Sequence, residues 1–150
     1  MKYYPDFEIF AKLAVDSDVV PVYRQLVGDT LTPLSAYCAI QWGPCSFLFE
    51  SVVGGEQIGR YSILGADPFL QLDAYGNRIV MTHQDGRTEE KECDDPLREL
   101  EDLLGQFRAV HLPGLPRFAG GAVGYAGYDT VRYAEHLPHA PEDDRKLPDL

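Results

Sequence analysis

Residues 69–92 read FLQLDAYGNRIVMTHQDGRTEEKE, and this stretch decides the fold class. Two turn pairs, Gly76-Asn77 and Asp85-Gly86, interrupt it at regular intervals. Such pairs between short runs of strand-forming residues are typical of β-hairpins. The stretch therefore predicts an antiparallel meander of three strands. The three predicted strands are 69–75, 78–84 and 87–92.

Further strands and helices are predicted on both sides of this meander. The strands are 19–27, 46–53, 60–64 and 118–125; the helices are 6–16 with Asp6 as N-cap, 33–40 after Thr32, 96–107 after Asp94 or Asp95, and 129–134 with Asp129 as N-cap. Because strands and helices do not alternate as in βαβ units, we predict an α+β fold. Its sheets would be antiparallel, of the sandwich type, with flanking helices.

Composition narrows the class of protein. The chain has 150 residues, 45% of them hydrophobic, and a formal net charge of −11. The length fits one domain, and the acidic charge argues against nucleic acid and anionic membrane surfaces as partners.

No apolar run is long enough to span a bilayer and no signal peptide begins the chain, so we expect a cytoplasmic location. The ending at Leu150 leads us to expect a fragment of a longer protein. The three cysteines, Cys38, Cys45 and Cys93, are expected to be small buried hydrophobic residues.

The most biased segment is 120–129, with four glycines and tyrosines at Tyr125 and Tyr128. Its glycine spacing matches no phosphate-binding loop. We interpret the glycines as sites of close approach to another backbone and the tyrosines as core residues. Pro138 and Pro141 interrupt the segment with His136 and His139, so no helix aligns the two imidazoles, which favours a solvated loop over a metal site. The acidic, proline-rich end is expected to be an extended tail.

Glu50 and Ser51 lie in an otherwise apolar predicted strand, where a carboxylate is costly unless it is paired. A hairpin through 54–56 would bring them opposite Arg60 and Tyr61. One interpretation is a structural ion pair that closes the hairpin. The other is a polar floor for a small zwitterionic ligand, whose ammonium group would meet the carboxylate.

Several segments resemble the N-terminal region of the anthranilate synthase component I family. They are Val19-Val-Pro-Val-Tyr-Arg24, Ser46-Phe-Leu-Phe-Glu-Ser51, Ile58-Gly-Arg-Tyr-Ser-Ile-Leu-Gly-Ala-Asp-Pro68 and Pro116-Arg-Phe-Ala-Gly-Gly-Ala-Val-Gly-Tyr-Ala-Gly-Tyr-Asp-Thr-Val-Arg-Tyr133. The resemblance implies an enzyme that converts chorismate and ammonia into anthranilate and pyruvate in tryptophan synthesis. It also implies a glutamine amidotransferase partner (component II) that supplies the ammonia.

The resemblance implies that regulation and catalysis belong to two different domains. Residues 1–150 would form the N-terminal regulatory domain, whereas the chorismate-binding domain, with its Mg²⁺ ligands and catalytic groups, is absent from this chain. We therefore expect no catalytic residue, metal or cofactor here, and no activity from these residues alone. Tryptophan, the feedback inhibitor, would contact the family's Leu-Leu-Glu-Ser motif, which reads Leu48-Phe49-Glu50-Ser51 here. The resemblance thus implies Phe49, Glu50, Ser51 and, with a less direct match, Arg60 as ligand-binding residues.

Three alternatives remain open at this level. Aminodeoxychorismate synthase component I shares the fold and often the tryptophan pocket. A free-standing amino-acid-binding module would need no second domain. A β-rich structural domain would bind no ligand. For a fragment, strand edges left unpaired by truncation make self-association of the chain possible.

Overall fold

The computed structural model describes residues 2–50, 61–139 and 142–150. It confirms a mixed α+β fold with antiparallel sheets. The elements are α1 (Phe7–Leu13), α2 (Pro33–Ile40), β1 (Ser46–Glu50), β2 (Ser62–Ala66), β3 (Leu70–Tyr75), β4 (Arg78–His83), β5 (Thr88–Glu92), α3 (Pro96–Gly105) and a 3₁₀ helix (Tyr128–Tyr133). β1 pairs with β2, and the predicted meander forms a second sheet in the order β3-β4-β5.

The chain divides into two compact units. The first unit comprises Met1–Leu26, Leu72–Val80 and Glu90–Leu150, and the second comprises Val27–Gln71 and Met81–Glu89. Each unit thus draws on separate parts of the sequence, because the division falls within the strands of the meander.

The second unit contains α2 and the β1–β2 pair. Thr32 caps α2 as predicted: its hydroxyl accepts a hydrogen bond from the Ser35 amide at 3.1 Å, and Ser35 Oγ accepts one from the Thr32 amide at 2.9 Å. This reciprocal arrangement satisfies two amides that a helix start leaves open. The Tyr37 hydroxyl lies 2.8 Å from Ser46 Oγ, which ties α2 to the beginning of β1.

Close packing of an aromatic ring on a glycine sets the β1–β2 pair. The register places Phe47 opposite Gly65 and Leu48 opposite Leu64. A methyl group at Gly65 would lie only 2.6 Å from Phe47 Cε1. Position 65 therefore needs a residue without a side chain, since the ring occupies the space above its backbone.

The first unit has capped helices and a small core. Asp6 accepts from the Ile9 amide at 3.0 Å, and Asp95 accepts from the Arg98 amide at 3.1 Å. Both caps agree with the predicted helix starts. Among the residues that the structure describes, only Ala74, Ile79 and Pro96 are fully buried.

Two predicted strands are wrong. Residues 19–27 contribute only isolated bridges, Tyr4 with Tyr23 and Val19 with Ala109. Pro21 in this segment has no amide hydrogen, which prevents continuous pairing. Residues 118–125 are irregular, because glycines at 120, 121 and 124 weaken any strand.

Three smaller expectations also need correction. Asp129 does not cap the last helix: Gly127 is the N-cap of the 3₁₀ helix, and the Asp129 carboxylate accepts from Arg132 Nε at 2.7 Å. Tyr125 and Tyr128 are exposed instead of buried, because the glycine-rich backbone forms no strand to turn them inward. Cys38 is exposed and Cys45 and Cys93 are half-buried; all three are free thiols.

The end of the chain is docked, contrary to the expectation of an extended tail. Pro148, Asp149 and Leu150 are half-buried. The Asp149 amide donates to the Ala74 carbonyl at 2.7 Å, and the Ala74 amide donates to the Leu150 carbonyl at 3.1 Å. Sequence reasoning missed this because the bonded residues are far apart in the chain. Across the part of the chain that is described, no helix has the length and apolarity of a membrane span.

The close contact in the second unit can be tested with Gly65→Ala. We expect this variant to lose about 1–3 kcal/mol of the free energy of unfolding, because the new methyl group must displace the Phe47 ring. Chemical denaturation followed by circular dichroism measures the loss. Gly105→Ala is the control, because Gly105 ends α3 with open space around it. An equal effect of the two variants would contradict the packing argument. Adding Phe47→Leu to Gly65→Ala should restore part of the loss.

Candidate functional site

Two of the four predicted ligand-binding residues, Phe49 and Glu50, lie in the part of the chain that the structure describes. They are the last two residues of β1, and β2 runs antiparallel beside them. Ser51 and Arg60 lie outside the residues that the structure describes. The described part of the candidate site therefore consists of Phe49, Glu50 and their neighbours on β2.

The register of the hairpin corrects one sequence prediction. Glu50 lies opposite Ser62, and not opposite Arg60 or Tyr61. Register in an antiparallel pair follows the packing of apolar residues, because a shift of one residue turns every side chain to the other face. The observed pairing places Phe47 opposite Gly65 and Leu48 opposite Leu64, which agrees with a register set by apolar packing.

Phe49 and Glu50 point to opposite faces of the β1–β2 pair, because side chains alternate along a strand. The face of Phe49 is apolar: its ring lies 5.4 Å from the Phe47 ring, and Ile63 is its partner across the pair. The Phe49 side chain is 54% exposed. The face of Glu50 is polar at this end, where Glu50 and Ser62 are both exposed.

This arrangement offers two kinds of chemistry. An exposed carboxylate at a strand end can bind an ammonium group, assisted by a hydroxyl on the neighbouring strand. The paired rings of Phe47 and Phe49 offer a flat apolar surface on which an aromatic ligand can pack. Both features are open to solvent and lie on opposite faces of the β1–β2 pair, so a ligand held by Glu50 would meet the hairpin on one side only.

The other candidate sites have fewer features of a binding site. A shallow, open depression in the first unit is lined by residues 132–137 and contains none of the predicted ligand-binding residues. Within the described ranges, no group of His, Cys, Asp and Glu is arranged to hold a metal ion. In the second unit, Glu89 Oε1 lies 3.2 Å from His83 Nε2 and 2.8 Å from Arg87 Nη1. Such exposed pairs contribute little to stability.

The most extensively bonded carboxylate near the glycine-rich segment is one that sequence reasoning missed. Asp149 Oδ2 accepts hydrogen bonds from the Gly76 amide and from the Tyr133 hydroxyl, each at 2.8 Å. The prediction that the glycines permit close approach of another backbone is confirmed at Gly127, whose amide donates to the Asp149 carbonyl at 2.7 Å. No local sequence pattern predicts these hydrogen bonds of Asp149, because its donor Gly76 lies 73 residues away in the chain.

Comparison with known proteins finds relatives that are all described as anthranilate synthase chains. The chain is 41% identical over 98% of its length to anthranilate synthase component 1 of Acetivibrio thermocellus, of which it covers 30%. It is 43% identical over 96% of its length to the chloroplastic anthranilate synthase alpha subunit 2 of Arabidopsis thaliana, covering 25% of that protein. The component 1 of Pseudomonas aeruginosa is 41% identical over 91% of the chain, which covers 28% of it. No family model matches. The chain thus spans under a third of the curated relatives it matches.

Glu50→Gln separates a structural ion pair from a solvent-facing ligand group. We expect this variant to change the free energy of unfolding by less than about 0.5 kcal/mol, because the carboxylate is exposed. Glu99→Gln is the matched control, since Glu99 is partly buried and pairs with Lys91 Nζ; it should lose more. Urea denaturation of both variants measures the difference. An equal or larger loss for Glu50→Gln would assign Glu50 to closing the hairpin.

Proposed function

We propose, from the homology of this chain to part of anthranilate synthase component 1, that residues 1–150 form the N-terminal, tryptophan-binding part of such a component. The supporting observation is the extent of the similarity. About 98% of the chain aligns with a relative of which it covers only 30%. A chain that matches one part of a longer enzyme along its whole length fits the role of one domain of that enzyme.

In this proposal the longer protein converts chorismate and ammonia into anthranilate and pyruvate. A glutamine amidotransferase, component II, supplies the ammonia, and Mg²⁺ and the catalytic groups belong to the chorismate-binding domain. Residues 1–150 contribute regulation. This proposal is preferred over aminodeoxychorismate synthase component I because the relatives reported above all carry the anthranilate synthase name.

The hairpin supports a tryptophan site by its chemistry. The exposed Glu50 carboxylate would bind the α-ammonium group, and the Ser62 hydroxyl opposite it offers a further hydrogen bond. Phe49 points to the other face, so it would act through ring packing with Phe47 and not beside Glu50. Ser51 and Arg60 complete the proposed ligand set by the family resemblance.

Tryptophan binding by this chain alone is expected to be weak. One open wall leaves most of the indole in water, and each Å² left wet forfeits roughly 25 cal/mol. We expect a dissociation constant of about 1 mM or weaker, which corresponds to about −4 kcal/mol. Isothermal titration calorimetry measures it, with saturation-transfer NMR for the weak range. Glu50→Gln should weaken binding further, whereas Glu99→Gln should leave it unchanged. A micromolar constant would instead support the free-standing binding module.

Ser51→Phe in the longer enzyme tests the regulatory role. A phenyl ring would fill ligand space and remove a hydroxyl, and leaving a buried partner unbonded costs about 1–3 kcal/mol. The tryptophan concentration for half-inhibition should therefore rise about tenfold or more, while the uninhibited rate is kept, because inhibition is a coupling between two distinct sites. Inhibition curves on the paired enzymes measure this. Unchanged sensitivity to tryptophan would remove Ser51 from the site.

A further inference from the structure

Residues 148–150, here called the PDL segment, are held through their main chain by hydrogen bonds with three parts of the first unit. The Tyr125 hydroxyl donates to the Pro148 carbonyl at 2.8 Å. The Gly127 amide donates to the Asp149 carbonyl at 2.7 Å, and Ala74 of β3 exchanges hydrogen bonds with Asp149 and Leu150. The segment therefore lies against both the edge of β3 and the glycine-rich segment.

The Asp149 carboxylate makes this docking specific. Its Oδ2 atom accepts from the Gly76 amide, in the β3–β4 turn, and from the Tyr133 hydroxyl, at the end of the 3₁₀ helix. Hydrogen bonds to a charged group are stronger than neutral ones. Burial, together with the bond to Asp149 and its negative charge, raises the pKa of Tyr133 above its ordinary value, so its hydroxyl remains a donor.

Gly76 and Gly127 are both needed for this geometry. Gly76 has a φ of +57°, which ordinary residues rarely adopt. A methyl group at Gly127 would lie 3.2 Å from the Asp149 carbonyl oxygen, a contact that the short hydrogen bond at this position cannot readily relax. These requirements give the glycine-rich segment a role that the proposed tryptophan site does not use.

The PDL segment also covers a sheet edge. Among the residues that the structure describes, the sheet order β3-β4-β5 leaves β3 at one side and β5 at the other. β5 reads TEEKE and all five residues are exposed, and charged residues of this kind protect an edge against pairing with another chain. β3 reads LQLDAY and has only one charged residue, so it needs a cover of another kind.

We propose that Asp149 is a latch residue: it holds the PDL segment over the β3 edge at Ala74, and its release opens that edge to pairing with a second copy of this chain. Asp149 acts as a positioning residue, through the segment that it anchors. A strand edge with free amides and carbonyls is a template for intermolecular pairing. Because the charges of β5 protect the other edge, the edge that a second copy offers is its own β3. The inference does not depend on the proposed function.

Amide hydrogen exchange of the full chain tests the latch. In Asp149→Ala, the amides of Ala74, Gly76 and Gly127 should exchange about ten- to a hundredfold faster, since each depends on the docked segment. The amides of Ala36 and Gln41 in and after α2, which bond within the second unit, should be unchanged. Asp143→Ala is the matched control, because Asp143 bonds only locally, to the Lys146 amide at 2.9 Å, among the bonds described for it. Unchanged exchange in Asp149→Ala, or equal acceleration in Asp143→Ala, would overturn the latch.

Sedimentation velocity tests the edge. Asp149→Ala should form a concentration-dependent dimer at least about tenfold more readily than the unsubstituted chain or Asp143→Ala. Should Asp149→Ala unfold, Tyr133→Phe removes one bond to the same carboxylate and should accelerate the Gly76 amide without global unfolding. Faster exchange at Ala74 with no gain in dimer would overturn the pairing of the open edge. Equal exchange of Gly76 in Tyr133→Phe and the unsubstituted chain would overturn the role of the carboxylate.

Discussion

The contact of the Phe47 ring with Gly65 is the constraint on which the candidate site depends. In the observed register the ring lies over the backbone of Gly65, where a side chain would collide with it. The register in turn decides that Glu50 shares a face with Ser62 and that Phe49 points to the other. The packing of Phe47 therefore influences the direction in which Glu50, three residues later, can contact a ligand.

Asp149 plays a comparable part in the first unit. Its backbone and carboxylate join β3, the β3–β4 turn, the glycine-rich segment and the 3₁₀ helix. The bond from the Gly76 amide is exposed, whereas the bond from the Tyr133 hydroxyl is partly buried. A partly buried hydrogen bond to a charged group contributes more than an exposed ion pair such as Arg78 with Glu90. The last residues of the chain thus belong to the structure of this unit and not to a solvated tail.

The burial pattern agrees with the proposal that the chain is one part of a larger enzyme. Although 45% of the residues are hydrophobic, few of those that the structure describes are fully buried. Large apolar side chains remain open in the second unit, among them Trp42, which is 84% exposed, and Phe49. Large apolar side chains left exposed are of the kind that another part of a protein covers.

The amino-acid sequence by itself determined the local elements. The meander follows from turn pairs with glycine, and the starts of α1, α2 and α3 follow from Asp6, Thr32 and Asp95, because capping and turn formation involve neighbours a few residues apart. The resemblance to anthranilate synthase component I was also readable from contiguous segments. Strands 19–27 and 118–125 were mispredicted because β-pairing needs partners that a local pattern does not supply.

Only the tertiary structure decided the relations between distant residues. The sequence marked Glu50 as an unusual carboxylate, but its partner across the hairpin depends on ring packing at position 47. The sequence indicated that another backbone approaches the glycine-rich segment closely, but it did not indicate that this backbone is the one at Asp149. Asp149 was invisible as a structural residue, since its donors Gly76 and Tyr133 come together only when β3, the 3₁₀ helix and the PDL segment are folded against one another.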